Sequence, residues 1–131
     1  AFADLDGDGD LEIVDAVSEP KTDEAGTWLP WRTRKEAYLR VLRTGPPEAA
    51  AVSLADKLHN AYAMASSLEA GIDIFRPAPG RTALSAGPED QLWFFHAVMD
   101  ATAHHEDPRL GAIRESLAEE VQRFAEAAGV A

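Results

Sequence analysis

The segment Ser53-Leu54-Ala55-Asp56-Lys57-Leu58-His59-Asn60 puts a carboxylate, an ammonium, an imidazole and a carboxamide into one short stretch of an otherwise apolar, alanine-rich run. Leu54, Leu58 and Ala61 recur at helical spacing, as do Ala51 and Ala55, so the stretch reads as a helix with a buried face. Asp56 and Asn60 then stack on one face a turn apart, with His59 on the neighbouring row. A carboxylate and a carboxamide beside apolar surface need partners, and the usual ones are a metal ion, a polar ligand or a hydrogen-bond network. Two readings stay open on spacing alone: a ligand-facing pair, or a pair satisfied locally with His59 in solvent.

The same residues resemble the late signature of the HD superfamily of metal-dependent phosphohydrolases, in the branch near the hydrolase domain of the stringent-response alarmone enzymes. The flanks fit in order. Ile13 to Lys21 resembles that branch's helix end and polar turn, Trp31 to Leu42 with Arg34, Lys35 and Tyr38 its Arg-Lys helix, and Gln91 to Ala97 its aromatic helix. The resemblance implies an all-α, HD-like helical bundle and a divalent metal, manganese by the family's habit, that activates water for attack on phosphorus. It implies Asp56 as a metal ligand, Asn60, Lys57 and Lys21 as substrate-binding residues, and a nucleotide or related phosphate ester as substrate. Arg34 and Lys35 are further basic candidates, each equally readable as solvated surface charge.

HD enzymes hold their metal with an early His, a His-Asp dyad and a late Asp. Here the first histidine is His59, so only the late Asp has a counterpart, in Asp56. The resemblance therefore implies a C-terminal part of an HD-type domain lacking its first helices and inactive alone; Ala1 in place of an initiator Met fits a fragment, a processed product or a remnant. A non-catalytic helical interaction module descended from such an enzyme is the alternative. Glu89 and Asp90 stand where alarmone hydrolases carry a basic residue, and an anionic pair beside a pyrophosphate is unfavourable, which points away from the alarmone itself. Lost helices would leave apolar residues such as Leu54, Leu58 and Tyr62 uncovered. Self-association as a homo-oligomer is then expected, with Trp28, Trp31 and the aromatic helix in the contact. Asp56 and Asn60 are expected to border a concave polar surface.

The elements that position these residues follow from pattern. At 131 residues the chain has the size of a single helical domain. Ala1 to Asp10 forms a Gly/Asp-rich lead and Leu11 to Ser18 a short helix; Pro20 to Leu29 is a loop. A helix opens after Pro30 and stops at Gly45-Pro46-Pro47; the signature helix runs from Glu48 to Glu69, with Gly71 as a left-handed cap. The Pro- and Gly-rich stretch from Ile72 to Pro88 reads as a long loop, and two further helices span Glu89 to His104 and Arg109 to Ala128, with Asp107 capping the last. The net charge of −11 argues against nucleic acid or an anionic membrane as partner. The lack of cysteine excludes disulfides and thiolate metal sites and leans towards a cytoplasmic setting.

Three other clusters compete for function. Asp4, Asp6, Asp8, Asp10 and Asp15 with Gly7 and Gly9 match much of a calcium loop, although the twelfth position is Asp15 rather than a bidentate Glu. His104-His105-Glu106-Asp107 has metal-ligand types, but neighbours on a helix point about 100° apart, so a junction between two helix dipoles is favoured. Trp93, Phe94, Phe95 and His96 read as core packing rather than a base-stacking platform.

Overall fold

The computed structural model describes residues 22–77, 79, 84 and 86–131. Among them the chain is all-α, with four helices: α1 (Trp31–Thr44), α2 (Pro47–Glu69), α3 (Pro88–Ala101) and α4 (Pro108–Ala128). The expected helix over Leu11–Ser18, the acidic lead Ala1–Asp10 and Lys21 lie outside the described residues. An isolated antiparallel bridge joins Thr22 to Trp28 across the loop that leads into α1.

The helix ends follow from local chemistry. Pro47, Pro88 and Pro108 each open a helix, where the missing N–H costs nothing and φ is already helical. Asp107 caps α4, its carboxylate accepting from the Arg109 amide at 2.9 Å. α2 closes on a Schellman turn: Gly71 sits at φ +84°, its amide donates to Leu68, and the Ile72 amide donates to Ser67. α3 ends at Ala101, three residues before the expected His104. Thr102 explains the early stop, since its hydroxyl turns back onto the Val98 and Met99 carbonyls at 2.9 and 3.1 Å while Arg114 of α4 takes its own carbonyl at 2.9 Å.

α2 and α4 make the most extensive helix contact and run the same way. Their first turns meet around Pro47, Glu48, Leu110 and Ile113, and at the far end Arg123 reaches Ser66 and Glu69. Small residues make this approach possible: Ala50, Ala61 and Ala65 are fully buried on α2, and Leu117, Val121 and Phe124 fill the space from α4. Phe95 of α3 meets Phe124 edge-on at 5.6 Å, and Phe75 of the long loop meets the same ring at 6.4 Å. α1 lies against α3 through Trp31, Tyr38 and Phe94, and buries Leu39 and Leu42.

One expectation fails here. Leu54 is 0 % exposed and belongs to the continuous core, and Leu58 is half-buried. Residues of α1, α3 and α4 join Leu54 in one continuous cluster, and Leu58 packs against it. Tyr62, at 55 %, does stay exposed, as do Trp28 and Ile72.

Candidate functional site

Position along α2 decides what each polar residue of the signature meets. Ser53 and Lys57 are four apart and lie on the side facing α1 and α3; both are buried. The Ser53 hydroxyl is 2.6 Å from the Tyr38 hydroxyl, which satisfies two polar groups inside an apolar wall. One turn on, the Lys57 stem fills the gap beside these hydroxyls, with its ammonium 5.3 Å from the ring centres of both Tyr38 and Phe94. The ammonium donates to Asp56 at 2.9 Å, with the lysine side chain 11 % exposed and the aspartate side chain 45 % exposed. Asp56 therefore stands at the border between wall and solvent, and a lysine anchored in aromatic rings holds it there.

Asn60 is half-buried one turn beyond Asp56, and His59 is exposed, as the helical rows require. The structure thus brings Asp56, Lys57 and Asn60 together on α2. The sequence singles out two further basic residues: Lys35 of α1 is half-buried, with its ammonium 4.9 Å from the Phe94 ring centre and 5.7 Å from that of Trp31, while Arg34 beside it is half-buried too. Phe94 consequently carries ammonium groups from two helices. Arg32 lies over Trp93 at 3.3 Å.

This basic and aromatic wall was only partly legible in advance. Aromatic core packing is right for Phe94 and Phe95, both buried, but Trp93 is half-buried and stacks with an arginine, and His96 is exposed beside a surface hollow. The Tyr38–Ser53 bond joins residues fifteen apart, and no local pattern announces it. Lys57, which the resemblance implies as a substrate-binding residue, already pairs with Asp56.

The described residues contain no group of three or more His, Asp or Glu side chains that could hold a metal ion. A lone carboxylate paired with an ammonium does not bind a divalent cation against water, which asks for six or more oxygens or a set of imidazoles. His104 and His105, with rings 4.0 Å apart, lie past the end of α3 in the connection to α4 and form part of a helix junction. Two hollows open elsewhere on the surface. One of about 640 Å³ lies between Leu39, Arg40 and Arg43 of α1 and Trp93, His96 and Asp100 of α3. The other, of about 340 Å³, lies between the first turns of α2 and α4. Neither is lined by Asp56 or Asn60, so these two hollows are not the concave polar surface expected around that pair.

No protein-family model, no curated protein and no solved structure matches this chain.

Proposed function

We propose that this chain is the late portion of an HD-type metal-dependent phosphohydrolase acting on a nucleotide or related phosphate ester, and that it is inactive alone. One observation carries the reading. Asp56 and Asn60 stand a turn apart and half-buried on a helix whose opposite face is core, and an almost buried lysine holds the carboxylate at the solvent border. Ordinary surface carboxylates have no such anchoring, and its cost in lysine side-chain entropy makes sense where orientation matters.

In this reading Asp56 supplies one carboxylate to a divalent ion, manganese by the family's habit, whose other ligands come from elements bearing the early His and the His-Asp dyad. Asn60 offers both a donor and an acceptor to a substrate hydroxyl. Lys57 acts first on Asp56, fixing its direction, and reaches a phosphate oxygen only at the mouth of the site. Lys21 joins Lys57 as a phosphate-neutralising residue. A cytoplasmic setting and a homo-oligomer through the exposed Trp28 and Tyr62 belong to the same proposal.

The test has two arms. The purified chain, given manganese and a nucleotide panel, releases no phosphate or pyrophosphate. A longer protein read from the upstream coding sequence carries a His and then a His-Asp dyad, and hydrolyses a member of the panel in a manganese-dependent reaction lost on Asp56→Ala. An upstream sequence without those residues would leave the chain a non-catalytic helical interaction module, and activity that survives Asp56→Ala would overturn the site.

A further inference from the structure

We propose that the connection between α3 and α4 is a proton-operated latch with His105 as its sensing group: neutral His105 holds the connection closed, and protonated His105 releases it. Two of the bonds that hold the connection, residues 102–107, involve the backbone of His105. The His105 amide donates to the Thr102 carbonyl at 3.3 Å, and Arg114 of α4 spans both ends, donating to the Thr102 carbonyl at 2.9 Å and to the His105 carbonyl at 3.4 Å. The His105 ring stacks on His104 with centres 4.0 Å apart and planes tilted by 38°. In that position Nε2 is covered from solvent and has no hydrogen-bond partner among the described residues.

An imidazole fixed this way is tolerable only while uncharged. A protonated ring has an N–H on both nitrogens, and a covered Nε2–H with no acceptor bears the full desolvation penalty of a charged donor. The charged groups that act on the ring come from three places: His104 within the connection, Arg114 from α4 and Glu48 from the first turn of α2. Two of the three are cationic or become so, and the ring's own burial works in the same direction. Glu48 alone favours the charged ring, and offers an acceptor once the ring swings out of the stack. Turning outwards breaks the ring contact with His104, and because the amide and carbonyl of the same residue join Thr102 and Arg114, the imidazole's proton works against the junction's closure.

The sign follows from linkage. The open connection exposes an ordinary imidazole and binds the proton more tightly than the closed one, so opening is favoured as pH falls from the usual histidine range towards the lower value of the closed form. One proton is involved, so the opening constant rises by at most about tenfold per pH unit.

Hydrogen exchange of the whole chain, converted to opening constants so that the chemical pH dependence of exchange drops out, measures this between about pH 7.5 and about pH 5.5. Opening of residues 102–107 increases as pH falls in the unaltered chain and in His104→Gln. It is flat in His105→Phe, which keeps a stacking ring without a proton, and Glu48→Gln moves the transition to lower pH. If the His105 variants do not fold, the proton resonance of the His105 ring in the unaltered chain serves: its midpoint lies below about 6.5, and the amide shifts of the connection follow the same midpoint. A flat profile in the unaltered chain, a dependence that survives in His105→Phe, or amide shifts that follow His104 instead would overturn the latch.

Discussion

Replacing Tyr38 and Ser53 separately and together tests whether the wall behind Asp56 and Lys57 is held by one specific bond. The two hydroxyls are 2.6 Å apart, and their residues are 6 % and 1 % exposed. Tyr38→Phe removes one oxygen and leaves the ring, so the edge-on contact with Phe94 at 5.6 Å persists and no cavity opens. Ser53 loses its partner but turns to the carbonyl of Ala49, four residues back on α2, and the loss is about 1 kcal/mol. Ser53→Ala is worse, because it removes the hydroxyl 2.6 Å from a buried phenol whose stiff ring cannot turn to a carbonyl of its own helix as a serine can; it costs about 2 kcal/mol. In the double variant neither orphan remains, and two facing apolar groups are close to neutral. The double variant is therefore expected within about 1 kcal/mol of the unaltered chain, with a coupling of about 2 kcal/mol that favours the pair. Urea unfolding followed by tryptophan fluorescence reads this directly: at an m-value of about 1–1.5 kcal/mol/M the Ser53→Ala midpoint falls by more than about 1 M and recovers when Tyr38→Phe is added. A double variant whose loss equals the sum of the single losses would refute the reasoning, since the two hydroxyls would then be stabilised independently.

Phe95→Ala, at a ring 1 % exposed between α3 and α4, is expected to lower stability by about 3–5 kcal/mol in the same urea assay, and a loss below about 1.5 kcal/mol would mean that the contact with Phe124 is not central to the core. Asp56→Ala strips the nearly buried Lys57 ammonium of its partner and should cost about 1.5–3 kcal/mol, whereas Lys57→Met, which leaves a half-exposed carboxylate to water, should cost about 1 kcal/mol or less; the reverse order would contradict the anchoring of Asp56 by Lys57. The Arg109 side chain and amide hold the Asp107 carboxyl down to about 2 from an ordinary 3.8, so carbon NMR of that carboxyl should titrate near the lower value. An acid with a depressed folded value contributes stability that is fully present above its unfolded value and is lost as pH falls through the folded one; α4 should therefore loosen at its first turn as pH drops from about 4 to about 2, and a midpoint at the ordinary value would remove the cap from the account.

Sequence alone determined the element plan. Proline at a first helical turn, a left-handed glycine after the last and an Asp before Pro108 act over a few residues, so α1, α2 and α4 begin and end within a residue or two of their expected limits. Helical periodicity also determined that Asp56 and Asn60 share a face while His59 does not. Tertiary structure decided everything that depends on which helix lies opposite. It ended α3 early, since the Thr102 carbonyl that a longer helix would use internally is taken by Arg114 of α4. It buried Leu54, which lost helices would leave uncovered, in one cluster with residues of α1, α3 and α4. It also packed Lys57 against Tyr38 and Phe94 with its charge on Asp56, where sequence alone left solvated surface charge open. The physical reason is range: caps and periodicity are written in neighbouring residues, whereas desolvation, ring contacts and the partner of a buried charge are set by side chains far away in the chain that only packing brings within a few ångströms.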